Sequence, residues 1–165
     1  MASEDEVDRI VEAWSRERPD LDVSPLQIVS RIRRVSKHIE RMRRAAFSAT
    51  GLEPWEFDVL SALRRAGEPY EMSPKALTEE TMVTSGTMTN RIDRLAKRGL
   101  VERRSDETDR RAVIVAMTEQ GRRHIDTAME TLLGVEALIL SGLSKADQDR
   151  LETSLRRLGA GLDID

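Results

Sequence analysis

The stretch that decides the fold is Ser73–Val115, SPKALTEETMVTSGTMTNRIDRLAKRGLVERRSDETDRRAVIV. It reads as helix, tight turn, helix, strand, charged hairpin, strand. Ser73 offers an oxygen to the first free amides and Pro74 brings a pre-set φ, so a helix starts there. Val83-Thr84-Ser85 interrupts it. A second helix is expected from a Ser85 cap to about Arg98, with Gly99 as its C-terminal stop. At about 100° per residue, Met88, Ile92, Leu95 and Ala96 share one face of that helix, which must be buried.

The opposite face carries Gly86, Thr87, Asn90, Arg94 and Lys97. Short polar side chains in the N-terminal half let a helix approach base edges in a major groove, and the cations behind them reach bases or phosphates. The N-terminal amides add a phosphate site. Leu100-Val101-Glu102-Arg103 and Ala112-Val113-Ile114-Val115-Ala116-Met117 have strand length and β-branched content. The polar segment 104–111 between them forms a hairpin whose tip arginines suit an adjacent minor groove. Thr87, Asn90 and Arg94 are the expected base readers; Ser85, Thr89, Lys97, Arg110 and Arg111 complete the expected DNA-binding set.

SGTMTNRIDRLAKRGLVERR followed by DRRAVIVAMTEQG resembles the winged helix-turn-helix signature of MarR-type transcriptional regulators. The motifs are contiguous and in order, and the flanking helices extend the resemblance over nearly the whole chain. The expected fold is therefore mainly α with a small β wing. Residues 51–117 would form the DNA-binding domain, residues 23–50 and 118–165 a helical dimerisation region, and residues 1–22 an added N-terminal helix and linker.

Charged residues make up 35% of the 165 and aromatics 3%, a profile of long amphipathic helices. The net charge of −3 is unevenly spread. Residues 1–22 hold eight carboxylates and three arginines, residues 31–44 seven cations and one acid, and residues 85–111 eight cations and five acids. Local field governs DNA binding, so the acidic total does not argue against it. With no cysteine, disulfides, thiolate–zinc sites and thiol redox sensing are excluded. The absence of a long apolar run or signal-like N-terminus leads to an expected cytoplasmic location without membrane contact. His38 and His124 lie in no metal-binding spacing and no glycine-rich phosphate loop occurs, so an enzyme is not expected and no cofactor is implied.

Elsewhere, Ser3 with Glu6 makes a capping box for a helix to about Arg16 carrying Val7, Ile10, Val11 and Trp14 on one face. Ser24-Pro25 opens a helix to about Thr50. Its Ile28, Ile32, Val35, Ile39, Met42 and Ala46 form a narrow seam suited to packing between subunits, with His38 beside it. Its arginines and lysine form a solvated basic face. Glu53-Pro54 opens a helix ending near Gly67, striped by Trp55, Val59, Ala62 and Leu63, with Asp58 at the stripe's edge and partly desolvated. Thr118 opens a helix to about Leu140. Ser144 caps the last one, with Leu151, Leu155 and Leu158 as its buried stripe.

The helix bearing Trp14 narrows the resemblance to the urate-responsive, PecS-like branch of the MarR family. That resemblance implies an effector site at Trp14, Asp58, Arg91 and Arg103, and an anionic effector such as urate or a polycarboxylate. Wheel position agrees for Arg91, which flanks the buried face whereas Arg94 points outward. Asp58 is expected to pair with Arg91 or Arg103, with the effector competing for those cations. The function implied is a homodimeric, ligand-responsive repressor on a pseudo-palindromic operator. The alternative is a helical dimeric protein–protein adaptor, which would lack steep salt-dependent DNA affinity.

Overall fold

Capping side chains set the helix starts. The computed structural model describes residues 4–105 and 112–162. Ser3 and the wing-tip Arg110 and Arg111 lie outside those residues. Helix α1 (Glu6–Glu17) is capped by Asp5 in a reciprocal box with Asp8, rather than by Ser3 with Glu6. The Asp5 carboxylate accepts from the amides of Val7 at 2.7 Å and Asp8 at 3.1 Å, satisfying two of the helix's free donors. Helix α2 (Leu26–Ala49) ends before Gly51, whose φ of +72° is a left-handed stop. Helix α3 (Pro54–Arg65) has proline at its start.

The two-residue strand β1 (Glu71–Met72) precedes α4 (Pro74–Glu80), whose Ser73 cap accepts from Ala76 N at 3.1 Å. Helix α5 (Ser85–Lys97) is capped by Thr84, not by the expected Ser85. Residue 84 keeps the extended backbone a cap needs, and its hydroxyl accepts from the Thr87 amide at 3.3 Å. Strands β2 (Val101–Ser105) and β3 (Val113–Met117) pair antiparallel, with Val101 opposite Met117 and Arg103 opposite Val115. Strand β1 takes the other edge of β3, giving the order β1-β3-β2. Strand β1 has no signal in the sequence, because two residues carry no periodicity. Helices α6 (Glu119–Leu140) and α7 (Lys145–Ala160) follow, capped by Thr118 and Ser144.

The chain divides into two compact units at Arg43/Arg44. In the first, Val7 of α1 is buried. Arg31 of α2 donates to Asp5 at 2.9 Å and to Asp8 at 2.7 Å, and Arg34 to Glu6 at 2.5 Å. The Arg34 guanidinium holds the Glu6 carboxyl below its ordinary value. Part of the basic face of α2 is thus neutralised by α1.

In the second unit α3 is the hub. Phe57, Val59, Leu60, Ala62 and Leu63 are buried, and Phe57 stacks on Phe47 with centroids 4.3 Å apart. Met88, Ile92 and Leu95 of α5 are fully buried, as their spacing requires, with Leu77, Leu100, Val115 and Ile125 completing the core. Side chains tie α3 outward as well. Arg64 reaches Asp126 of α6 at 2.8 Å, and Arg65 reaches Glu80 of α4 at 3.2 Å. Helix α7 corrects an expectation: none of its residues is buried, and Leu151, Leu155 and Leu158 stay about half exposed. Among the described residues nothing buries its apolar stripe.

Candidate nucleic-acid interface and its supports

The first two turns of α5 are open. Ser85, Gly86, Thr87, Thr89 and Asn90 are all exposed, while Met88 between them is buried. Thr87 and Thr84 share a hydroxyl contact at 2.9 Å, and the Thr89 hydroxyl turns back to the Ser85 carbonyl at 3.0 Å. Asn90 makes no side-chain hydrogen bond among the described residues, so its donor and acceptor face water. A Cβ added at Gly86 would meet nothing within 4 Å. Nothing among the described residues therefore demands a glycine there. A surface of short, exposed polar groups, their hydroxyls bonded only within the first turns, on a helix anchored by three buried apolar residues can be pressed against another macromolecule.

Behind this surface the cations are organised by α3. The Trp55 ring, half-buried on α3, has the Arg94 guanidinium 4.6 Å from its centroid and that of Arg91 at 5.7 Å. Such contacts fix arginines without cancelling their charge, since the ring offers a quadrupole and not a counter-ion. Arg94 therefore lies against Trp55 and is not simply extended outward, a contact the wheel position could not show. Lys97 is exposed beyond it.

Of the residues expected at an effector site, three lie in the second unit. Arg103 of β2 pairs with Asp93 of α5 at 2.8 Å. Arg91 packs by Trp55, and Asp58 is exposed, not partly desolvated. Trp14 belongs to the first unit and is 50% exposed on α1. His38 is exposed and lies 3.1 Å from Arg41, and His124, partly buried, contacts the Gln120 carbonyl at 2.9 Å. No group of three metal-ligating side chains occurs among the described residues, and no single described helix is long and apolar enough to cross a membrane.

The carboxylate that burial singles out is Glu56, 1% exposed, two residues before Asp58. One of its oxygens accepts from the Glu53 amide at 2.9 Å and from the Arg98 guanidinium. The second arm of Arg98 donates to the Gly51 carbonyl at 2.8 Å. The Glu53-x-x-Glu56 spacing at a proline-started helix signals a box-like cap, but its cationic partner is 42 positions away, beyond any local pattern.

Comparison with known proteins agrees with this geometry. The MarR family matches residues 50–112, a span that includes α3, α4, α5 and β2. The HTH-type transcriptional regulator PecS of Dickeya dadantii (strain 3937) is 39% identical over 153 residues, covering 93% of this chain and 92% of its own. Among solved structures, a MarR family protein from Bacillus stearothermophilus superposes with a TM-score of 0.73 at 22% identity, over 85% of this chain and 96% of that one. BpsR of Bordetella bronchiseptica, whose DNA binding 6-hydroxynicotinic acid regulates, superposes with a TM-score of 0.65 at 24% identity, over 80% of this chain and 92% of its own.

Proposed function

The chain belongs to the MarR family of winged helix-turn-helix transcriptional regulators, and we propose that it is a homodimeric repressor of a pseudo-palindromic operator, released by a small anionic effector. The observation that carries the DNA half is the exposed, hydrogen-bond-poor face of α5 at Gly86, Thr87 and Asn90. Two such helices, one per protomer, would enter successive major grooves, with Thr87, Asn90 and Arg94 reading bases and Ser85, Thr89 and Lys97 seating the helix. Arg110 and Arg111 would reach the flanking minor groove. Dimerisation is supported separately in each unit. Ile28, Val29, Ile32 and Val35 on α2, and Leu151, Leu155 and Leu158 on α7, are apolar side chains left exposed by one chain.

For the effector, Arg91 and Arg103 are cations attached to the recognition helix or its following strand. Asp58 stands on α3, in the same unit. An anion that took up these cations would favour a state in which α5 is displaced, and release would follow from that difference in affinity. The 6-hydroxynicotinic acid that acts on BpsR is an aromatic acid, which supports the chemical class.

Fluorescence anisotropy tests both halves, using DNA flanking the chain's own gene against a scrambled duplex over a salt series, followed by urate. Selective, steeply salt-dependent binding that urate releases is expected. Absence of selectivity at every salt overturns the repressor and favours a protein–protein adaptor. An Asp58→Asn variant with an unchanged urate response overturns the effector mechanism alone.

A further inference from the structure

We infer that Arg98 is a positioning residue for operator recognition: its fork, set between the Glu56 carboxylate and the Gly51 carbonyl, fixes the pose of α5 without touching DNA. The inference rests on the DNA-binding reading above and assigns a role to two residues outside the expected reading surface. Arg98 is the C-terminal cap of α5, and its surroundings close that end of the helix. Gly99, at φ +69°, donates to the Ala96 carbonyl at 2.9 Å, and Leu100 donates to the Leu95 carbonyl at 3.0 Å. That pattern is a Schellman closure, which satisfies the last carbonyls of the helix.

A backbone closure sets where the helix ends but not where its axis points. The side chain of Arg98 supplies that constraint. One arm meets Glu56, a buried carboxylate on the first turn of α3, and the other meets Gly51, in the turn that follows α2. Two donors of one planar group, each held by a separate acceptor, resist rotation, whereas a single ammonium would allow it. Glu56 is itself held, accepting from the Glu53 amide at the start of α3. Both arms are committed to protein oxygens, so the charge of Arg98 is spent internally. Exposed Lys97, the residue before it, carries charge available to phosphate. Because the pair lies at one end of α5 and Thr87 and Asn90 at the other, a small change of axis at Arg98 is carried along the helix to the reading residues.

The test uses the full-length protein and a duplex that the wild type selects from a random-sequence pool, with a scrambled duplex of equal composition. Arg98→Gln, Arg98→Lys, Glu56→Gln and the double variant Glu56→Gln/Arg98→Gln are compared for affinity over a salt series and for thermal stability. Arg98→Gln is expected to lower the selected-over-scrambled ratio roughly tenfold, about the discrimination of one good base contact. The slope of log affinity against log salt should stay at its wild-type value. Arg98→Lys keeps the charge but not the fork, so it should lose selectivity too. It also covers the case in which Arg98→Gln folds poorly. The double variant should be no worse than Arg98→Gln, since both remove one contact.

A salt slope shallower by about 0.9 in Arg98→Gln, restored by lysine, would make Arg98 a phosphate contact and overturn the inference. Lower melting temperatures with an unchanged ratio in every folded variant would leave a stabilising brace and overturn it as well. A wild type that selects no duplex overturns the DNA-binding reading itself, a separate outcome seen before any variant is made.

Discussion

At its N-terminal half α5 offers Gly86, Thr87 and Asn90 to solvent with few internal commitments. At its C-terminal end it is fastened by Leu95 in the core, by the Schellman closure at Gly99 and by the Arg98–Glu56 pair. One helix thus has an outer face that the fold leaves open in its first turns, and an inner face and C-terminal end that the fold holds. A reading helix requires that division. Side chains buried in the core cannot meet base edges, and a helix loose at its far end would spread its contacts over many poses.

The largest effect should come from the fastened half. Leu95→Ala removes a fully buried side chain and should destabilise the protein by about 3 kcal/mol, measured by urea unfolding. DNA affinity per folded molecule should fall far less than the stability does. If unfolding were barely altered, the two halves would not differ as described. At the open half the balance reverses. Asn90→Ala should leave the unfolding midpoint within about 0.5 kcal/mol of wild type while weakening selective binding by about 1–3 kcal/mol. A loss of stability matching the loss of binding would show that Asn90 serves the fold.

Gly86→Ala gives the smallest and sharpest contrast. No atom lies within 4 Å of the added methyl, so stability should hold or rise by up to about 1 kcal/mol. Titration against the selected duplex should nonetheless show severalfold weaker binding, because the methyl keeps the helix backbone from the groove. Unchanged affinity would mean that the backbone at residue 86 does not approach DNA.

Much of this was legible in the chain itself because it depends on near neighbours. Ser73-Pro74, Thr118 and Ser144 mark helix starts through the orphan amides they satisfy. Gly51 and Gly99 mark ends through the left-handed backbone that side chains resist. The spacing of Met88, Ile92 and Leu95 fixed which face of α5 is inside, and therefore which face is free to read. Errors arose where neighbours compete. Thr84 and Ser85 are both competent caps, and backbone geometry at one residue chose between them.

What the tertiary structure alone decided are meetings across long stretches of chain. Asp58 and Glu56 are both carboxylates on one short helix, and periodicity put Asp58 at the edge of the apolar stripe. Packing buried Glu56 instead, because Arg98 arrives from 42 residues away to neutralise it. Arg103 takes Asp93 as its partner, Arg94 lies against Trp55, and Glu71-Met72 becomes a strand because β3 has a free edge. Local capping and periodicity are written in consecutive residues, so the sequence determined the elements and their faces. Pair partners depend on how those faces dock, which is a property of the whole core.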